Sequence, residues 1–282
     1  MTIVRSRQTA GDTGEPPLAS APPLDADAVA RALDCGRVEV RLQPIARVAD
    51  GRVTGFEALA RLRGDDGGLV APDRFVAAAE ASGLILDLGE RVLRAACREA
   101  AALRRSYGRH LSVAVNLSAV QAADPSLPSL VRRALDGAGL PADALSLELT
   151  ETALFGGDPG TADALAALAR GGVRIVLDDF GTGWSSLAYL VRFPVSALKI
   201  DRSFVAAMVA DPGRSGAIVQ AVVGLAHTLG LDAVAEGVET EAQRTFLRAY
   251  RCERMQGYLV APPLSPADAA RFLDRAAARA SA

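Results

Sequence analysis

An α/β chain closed into a modified (β/α)8, TIM-like barrel, with an antiparallel first strand, is the fold this sequence predicts. Three observations lead there. Eight short runs of strand character alternate with helical patterns across roughly 250 residues, the size of one such barrel. The first two strand runs are joined by "ADG", a turn signal that closes a hairpin and sets the opening strand against its neighbour. Within the strand runs, polar and charged residues fall late, at the end where barrels of this class carry their chemistry.

The elements follow in order. Residues 1–24, "MTIVRSRQTAGDTGEPPLASAPPL", are rich in Pro, Gly, Ala and Ser and lack the apolar core of a signal peptide. They read as a disordered tail or linker, with the folded domain over 25–282. "DADAVARALD" opens the domain as a helix capped by Asp25. "EVRLQPIARV" and "RVTGFEALARL" form the hairpin. "APDRFVAAAEASG" is helical, with Pro72 in its first turn and Gly83 near its end. An amphipathic helix over about 85–107 comes next. The later strand runs are "LSVAVNLS", "LSLELTE", "VRIVLDDF", "ALKID", "DAVAEGV" and "RMQGYLV". Helical patterns such as "TADALAALARGG", "GAIVQAVVGLAHTLG" and "TEAQRTFLRAY" separate them, and "SPADAARFLDRAAARA" closes the chain.

Composition narrows the function classes. The 282 residues are half apolar, enough for a large core, and the formal net charge is -2. No basic footprint points to polymeric nucleic acid, and no apolar run approaches a membrane span. Cys35, Cys97 and Cys252 are odd in number and widely spaced. They read as small core residues in a reducing, cytoplasmic setting rather than as a disulfide framework or metal site. His110 and His227 are isolated, which argues against histidine-bound zinc. Of 31 basic residues only Lys199 is a lysine, and Asn116 is the only asparagine. Arginine cannot replace lysine where a compact ammonium is needed.

Alternation along the strands then sorts the side chains. In "LSLELT", Leu145, Leu147 and Leu149 oppose Ser146, Glu148 and Thr150; in "VAVNLS", Val113, Val115 and Leu117 oppose Ala114, Asn116 and Ser118. Glu57, Leu59 and Arg61 share one face of their strand, and Gln256 lies opposite Met255. The aliphatic faces meet the helices, so Glu57, Asn116, Glu148, Asp178, Lys199, Glu236 and Gln256 gather at one mouth. Carboxylates converging this way repel unless cations hold them, and hard divalent cations accept carboxylate and amide oxygens. Asp178 and Asp179 are adjacent, with Gly181 and Gly183 just beyond, where a flexible backbone passes close to metals or a phosphate. Two cations suit attack of water on a phosphodiester. Lys199 then orients the water, accepts its proton or offsets charge; Arg61 pairs with a phosphate oxygen; Gln43 and Gln256 hydrogen-bond a base edge. A single metal with Lys199 would also suit proton abstraction from a carbon acid, although the Asp pair with Asn116 favours two metals.

The ordered motifs "LQPI", "EALAR", "VNLS", "ELTET", "DDFGTG", "KID", "EGVE" and "QGY" resemble the EAL domain family, the cyclic-di-GMP phosphodiesterases, over roughly residues 25–275. The resemblance implies hydrolysis of one phosphodiester of cyclic-di-GMP to linear pGpG with two ions, Mg2+ or Mn2+. It implies Glu57, Asn116, Glu148 and Asp178 as ligands of one metal, and Asp178, Asp179 and Glu236 as ligands of the other. Lys199, Glu57 and Glu151 match the catalytic set, Glu151 as the residue that steadies the "DDFGTG" loop. Gln43, Leu59, Arg61 and Gln256 match substrate-contacting positions, and Asp201 and Glu239 are similar to residues supporting the ligands. A homodimer and a regulatory domain or partner upstream of the tail are further family expectations. Leu42 stands where Tyr is common, Trp184 where Tyr or Phe is usual, and "APPLSP" replaces the commoner run. These departures bear on the pocket wall and rim. The alternative is a non-hydrolysing cyclic-di-GMP receptor or protein-docking domain, which would be expected to lack ligands or the glycine loop.

Overall fold

In the computed structural model, residues 23–64, 67–108, 110–155, 159–181, 190 and 192–280 are described. Among the described residues nine strands form one sheet: β1 (Val38–Arg47), β2 (Val53–Arg63), β3 (Leu69–Val70), β4 (Ser112–Asn116), β5 (Leu145–Thr150), β6 (Arg174–Phe180), β7 (Val195–Ile200), β8 (Asp232–Ala235) and β9 (Arg254–Gln256). Eight of them close a ring in the order β1-β2-β4-β5-β6-β7-β8-β9 and back to β1, with β3 appended to β2. β1 is antiparallel to both its neighbours, and every other pair around the ring is parallel. The hairpin register sets Gln43 opposite Glu57.

The helices are α1 (Ala26–Asp34), α2 (Val76–Ser82), α3 (Ile85–Tyr107), α4 (Ala119–Ala122), α5 (Leu127–Ala138), α6 (Glu151–Phe155), α7 (Pro159–Arg170), α8 (Arg202–Ala207), α9 (Ala217–Thr228), α10 (Glu241–Ala249) and α11 (Pro266–Ala280). Asp25 caps α1 by accepting from the Ala28 N–H at 2.8 Å. Residues 1–22 of the expected tail lie outside the described residues. Leu24, assigned to that tail, is packed: its N–H donates to Arg74 O at 2.7 Å and its side chain meets the core.

The main apolar core lies between strands and helices. Leu145, Leu147 and Leu149 of β5 are at most 1% exposed there. Burying each contributes roughly 1.5–3 kcal/mol. Cys97 and Cys252 are buried, and burial pushes both thiols up to about 12. Cys35 departs from expectation: it is exposed, because it caps the C-terminus of α1 rather than facing the core.

The barrel interior is layered. On their inward faces β6 carries Arg174, Val176 and Asp178, β8 leads through Asp232 and Val234 to Glu236, and β4 carries Ser112, Ala114 and Asn116. On antiparallel β1 the same tiers run in reverse, Gln43, Ile45 and Arg47. Ile45, Ala114 and Val234 form a small buried cluster of their own that floors both mouths.

Candidate active site

At the carboxyl ends of the strands the side chains converge on Lys199 of β7, which is 1% exposed. Its Nζ lies 2.5 Å from Glu236 Oε1, 2.8 Å from Glu148 Oε2, 3.4 Å from Asp178 Oδ2 and 3.6 Å from Glu57 Oε2. A single ammonium so faces acids from three strands and from the turn after β8. Glu57 also accepts from Asn116 Nδ2 at 2.6 Å and from Gln256 Nε2 at 2.7 Å. The amide nitrogen of Asn116 being turned to Glu57, its oxygen lies on the other side of the group. Gln256 Nε2 also reaches Gln43 Oε1 at 2.9 Å. Gly257, at φ 153°, lets the chain after β9 cross Val238 so closely that a Cβ would sit 2.2 Å from Val238 O. That crossing holds the Gln256 carbonyl on the Val238 N–H at 3.0 Å.

Asp178 and Asp179 reach the same mouth by a bulge. Leu177 pairs with Leu198 and Phe180 with Ile200, so β6 spends one residue more than β7 between those pairs. The extra residue takes Asp179 to φ 55°, a left-handed conformation that Asp tolerates better than most side chains. Strict alternation would have sent the two carboxylates to opposite faces. Instead Asp178, Asp179 and Glu236 each offer an oxygen, and these atoms lie within 4.8 Å of one another. Gly181, at φ 96°, continues the turn, and its N–H donates to Glu151 Oε1 at 2.9 Å. Glu151 is 5% exposed at the start of α6. Asp201 caps α8, accepts from the Ser203 N–H at 2.9 Å and from its hydroxyl, and its charge bears on Asp179. Ser203 is not singled out in the sequence, although Asp-x-Ser at a helix start is a recognisable cap signal.

The charges explain the protonation. Burial pushes Glu148 well above the usual carboxylate range; Lys199 opposes it, while Glu57 and Asp178 add to it. Burial likewise lifts Glu236 to about 8, against Lys199 and with Asp178 and Glu57. Burial, Asp178 and Asp201 lift Asp179 to about 6. Glu57 goes the other way: burial raises it, but Lys199 and the hydrogen bonds from Gln256 and Asn116 hold it below its ordinary value. Lys199 is held well above its own, since four carboxylates outweigh its burial. The cluster is short of positive charge, and oxygen donors this close fit divalent cations.

The other expected residues are placed as follows. Leu59 and Arg61 lie beyond Glu57 on β2; Leu59 is half-buried, while Arg61 is buried with Nη1 donating to Ala60 O at 2.9 Å. Glu239 is exposed; its N–H donates to Gln243 Oε1 at 2.7 Å, and its carboxylate does not join the cluster among the described residues. Leu42 is 1% exposed in the apolar core, so its departure from Tyr leaves the pocket wall untouched. Gly183 and Trp184 lie outside the described residues.

The EAL domain profile matches residues 26–263. The chain belongs to the EAL domain family. This EAL domain is 46% identical over 243 residues to the cyclic di-GMP phosphodiesterase NbdA of Pseudomonas aeruginosa, covering 86% of this chain and 31% of that protein. It is 48% identical over 230 residues to an uncharacterized signaling protein of Caulobacter vibrioides, covering 82% of this chain and 28% of the relative. The chain thus spans under a third of the length of these curated relatives. Among solved structures it is similar to the PaMucR phosphodiesterase in complex with c-di-GMP, with a TM-score of 0.80, 40% identity, and coverage of 85% and 96% of the two chains. It is also similar to the EAL enzyme Bd1971 bound to cAMP and cyclic-di-GMP, at a TM-score of 0.83 and 29% identity, covering 88% of this chain and 68% of that one. Among the described residues of the EAL domain, no helix is long and apolar enough to cross a membrane.

Proposed function

We propose that this EAL domain hydrolyses one phosphodiester bond of cyclic-di-GMP to give linear pGpG. The observation that carries the reading is the bulge that turns adjacent Asp178 and Asp179 toward Glu236, beside a lysine ringed by four carboxylates. Glu57, Asn116, Glu148 and Asp178 would hold one Mg2+ or Mn2+ ion; Asp178, Asp179 and Glu236 would hold the second. Such a pair supplies Lewis acidity and makes bound water easier to deprotonate.

The chain's own groups do the rest. In the metal-free domain the four carboxylates raise the pKa of Lys199 and keep the proton on Nζ. That ammonium is suited to orienting the water and offsetting charge on the phosphoryl oxygens. Gln256 Oε1 is buried and without a partner among the described residues, an acceptor suited to an N–H on a guanine edge. Gln43 and Leu59 border the same mouth, and Arg61 supplies a guanidinium for a phosphate. Glu151 positions the Gly181 backbone. Water adds its oxygen to phosphorus, the bond to the 3′ oxygen breaks, and that oxygen leaves with a proton.

Chromatography of protein incubated with cyclic-di-GMP and Mg2+ or Mn2+ tests this. pGpG is expected from wild type and not from Glu57→Ala or Asp178→Asn. Ligand binding without turnover would replace the enzyme by a receptor.

A further inference from the structure

We propose that the amino-terminal mouth of the barrel is a second ligand site, made for a small phosphorylated anion. It stands on residues other than those of the phosphodiesterase reading and lies beyond the Ile45–Ala114–Val234 floor.

The mouth holds a cavity of about 770 Å³, within the size range of small-molecule sites. Six arginines line it, Arg47, Arg104, Arg174, Arg248, Arg251 and Arg254, against the carboxylates of Asp143, Asp232 and Glu253. The chain as a whole carries a formal net charge of -2, so this excess of positive charge is local. The carboxylates neutralise it only in part: Arg47 pairs with Asp50, and Asp143, Asp232 and Glu253 stand against the other five arginines. Glu253 is taken up by His227 at 2.7 Å and by the Ala233 N–H at 2.8 Å. Asp232 Oδ2 serves two guanidiniums at once, Arg174 Nη2 at 2.5 Å and Arg254 Nη2. One carboxylate between two half-buried cations leaves a charge over.

Four of the arginines are also held in place, Arg47 by Asp50. Arg174 and Arg254 are the first residues of β6 and β9, and Arg104 donates to Leu111 O. Arg248 and Arg251 stand exposed at the edge with no carboxylate partner among the described residues. Arg251 has φ 60° just past α10, where glycine is the usual residue. Burial, with Arg174 close by, outweighs Asp232 and holds Arg254 below its ordinary value.

These features select the ligand. Guanidinium forks match phosphate oxygens in pairs, and several forks around one cavity call for more than one phosphoryl group. The floor closes the cavity from within, which suits a small molecule and not a polymer. Pyrophosphate or the phosphate chain of a nucleotide has this chemistry.

Isothermal titration with inorganic pyrophosphate and with GTP, both in EDTA, is the test. Saturable one-to-one binding of at least one probe is expected, weakened tenfold or more in Arg248→Glu/Arg251→Glu. Both sites are exposed, so the double variant retains the fold, checked by circular dichroism. Asp178→Asn, at the other mouth, and Arg271→Glu, an exposed arginine of α11 paired with Asp268, should bind as wild type does. Binding of GTP alone would restrict the ligand class to nucleotides. No saturable binding of either probe, equal weakening in Arg271→Glu, or a loss that follows Asp178→Asn would overturn the proposal.

Discussion

The two mouths of this barrel are built from the same strands and carry opposite charge. At the carboxyl end, Glu57, Glu148, Asp178 and Glu236 share one lysine. At the amino end, Arg174 and Arg254 share one aspartate. Asp178 is only four positions on from Arg174, roughly 13 Å along an extended strand. The protonation tendencies mirror each other. Glu148, Asp179 and Glu236 are pushed up toward their neutral forms, while Arg254 and His110 are pushed down toward theirs. Each end holds more of one charge than its own residues balance. The apolar layer between them keeps the two sets of side chains from pairing directly. A barrel strand can thus carry two sites, one at each end of a single inward face.

The comparison is sharpest in catalysis. Asp178→Asn should lower pGpG formation on the order of 10³-fold, the upper range for losing one electrostatic group at a reacting centre. Arg248→Glu/Arg251→Glu should leave the rate at saturating substrate within about twofold, since both charges are exposed at the opposite mouth, where salt screens them. A comparable rate loss in both variants would mean that the mouths are not separate.

Next in size is stability without metal. Lys199→Met leaves four buried or half-buried carboxylates without their cation. It should cost about 3–5 kcal/mol at pH 8 in EDTA, read by urea unfolding. At pH 5 the cost should shrink, because Glu236, at about 8, then holds its proton and Glu148 is pushed the same way. An equal cost at both pH values would assign the loss to packing and not to charge.

The pH dependence of the metal-free wild type follows with a smaller effect. Glu236 stands at about 8 against an ordinary 4.5, and Asp179 at about 6 against 3.8. An acid with a raised folded value carries no penalty below its unfolded value, and the penalty grows until the pH passes the folded one. These two groups should therefore make the protein less stable as pH rises from 4.5 to about 8, read as a steady fall in melting temperature. Glu57, held low, favours the fold above 4.5, and Lys199 keeps its contribution past 10.5. Saturating Mn2+ should flatten the fall, as followed by scanning fluorimetry. A melting temperature that climbs across this window in EDTA would contradict the charge balance described here.

The carboxyl mouth was legible in the sequence and the amino mouth was not, for a physical reason. Glu57, Asn116, Glu148, Lys199 and Gln256 break an apolar alternation late in their strands, so period two alone assigns them a common face. Arg174, Asp232 and Arg254 open their strands, where a charge looks like an ordinary loop end. Their convergence depends on the ring closing through the β8–β9 and β9–β1 pairings, which no local pattern encodes. The bulge at Asp179 is non-local for the same reason: it exists only as a difference in register between β6 and β7. The hairpin, by contrast, is written in its turn and was readable. α5 escapes the strand-helix reading although Pro128 lies in its first turn and Gly139 ends it at φ 66°.

The smallest expected effect concerns His110 at the amino mouth. Burial, then Arg52 and Arg104, hold its imidazole below 6.5. An anion seated among the arginines would offset those cations, and the positive charge on the ring would become easier to carry. Saturating pyrophosphate should therefore move the His110 titration upward, toward 6.5, as followed by NMR of the ring protons. The chain has two histidines, so His227→Gln, which keeps a hydrogen-bond donor for Glu253, leaves a single signal to follow. The same titration in Arg248→Glu/Arg251→Glu should need more pyrophosphate to reach its endpoint. A His110 midpoint indifferent to bound pyrophosphate would place the anion elsewhere and leave the basic mouth as a structural charge cluster.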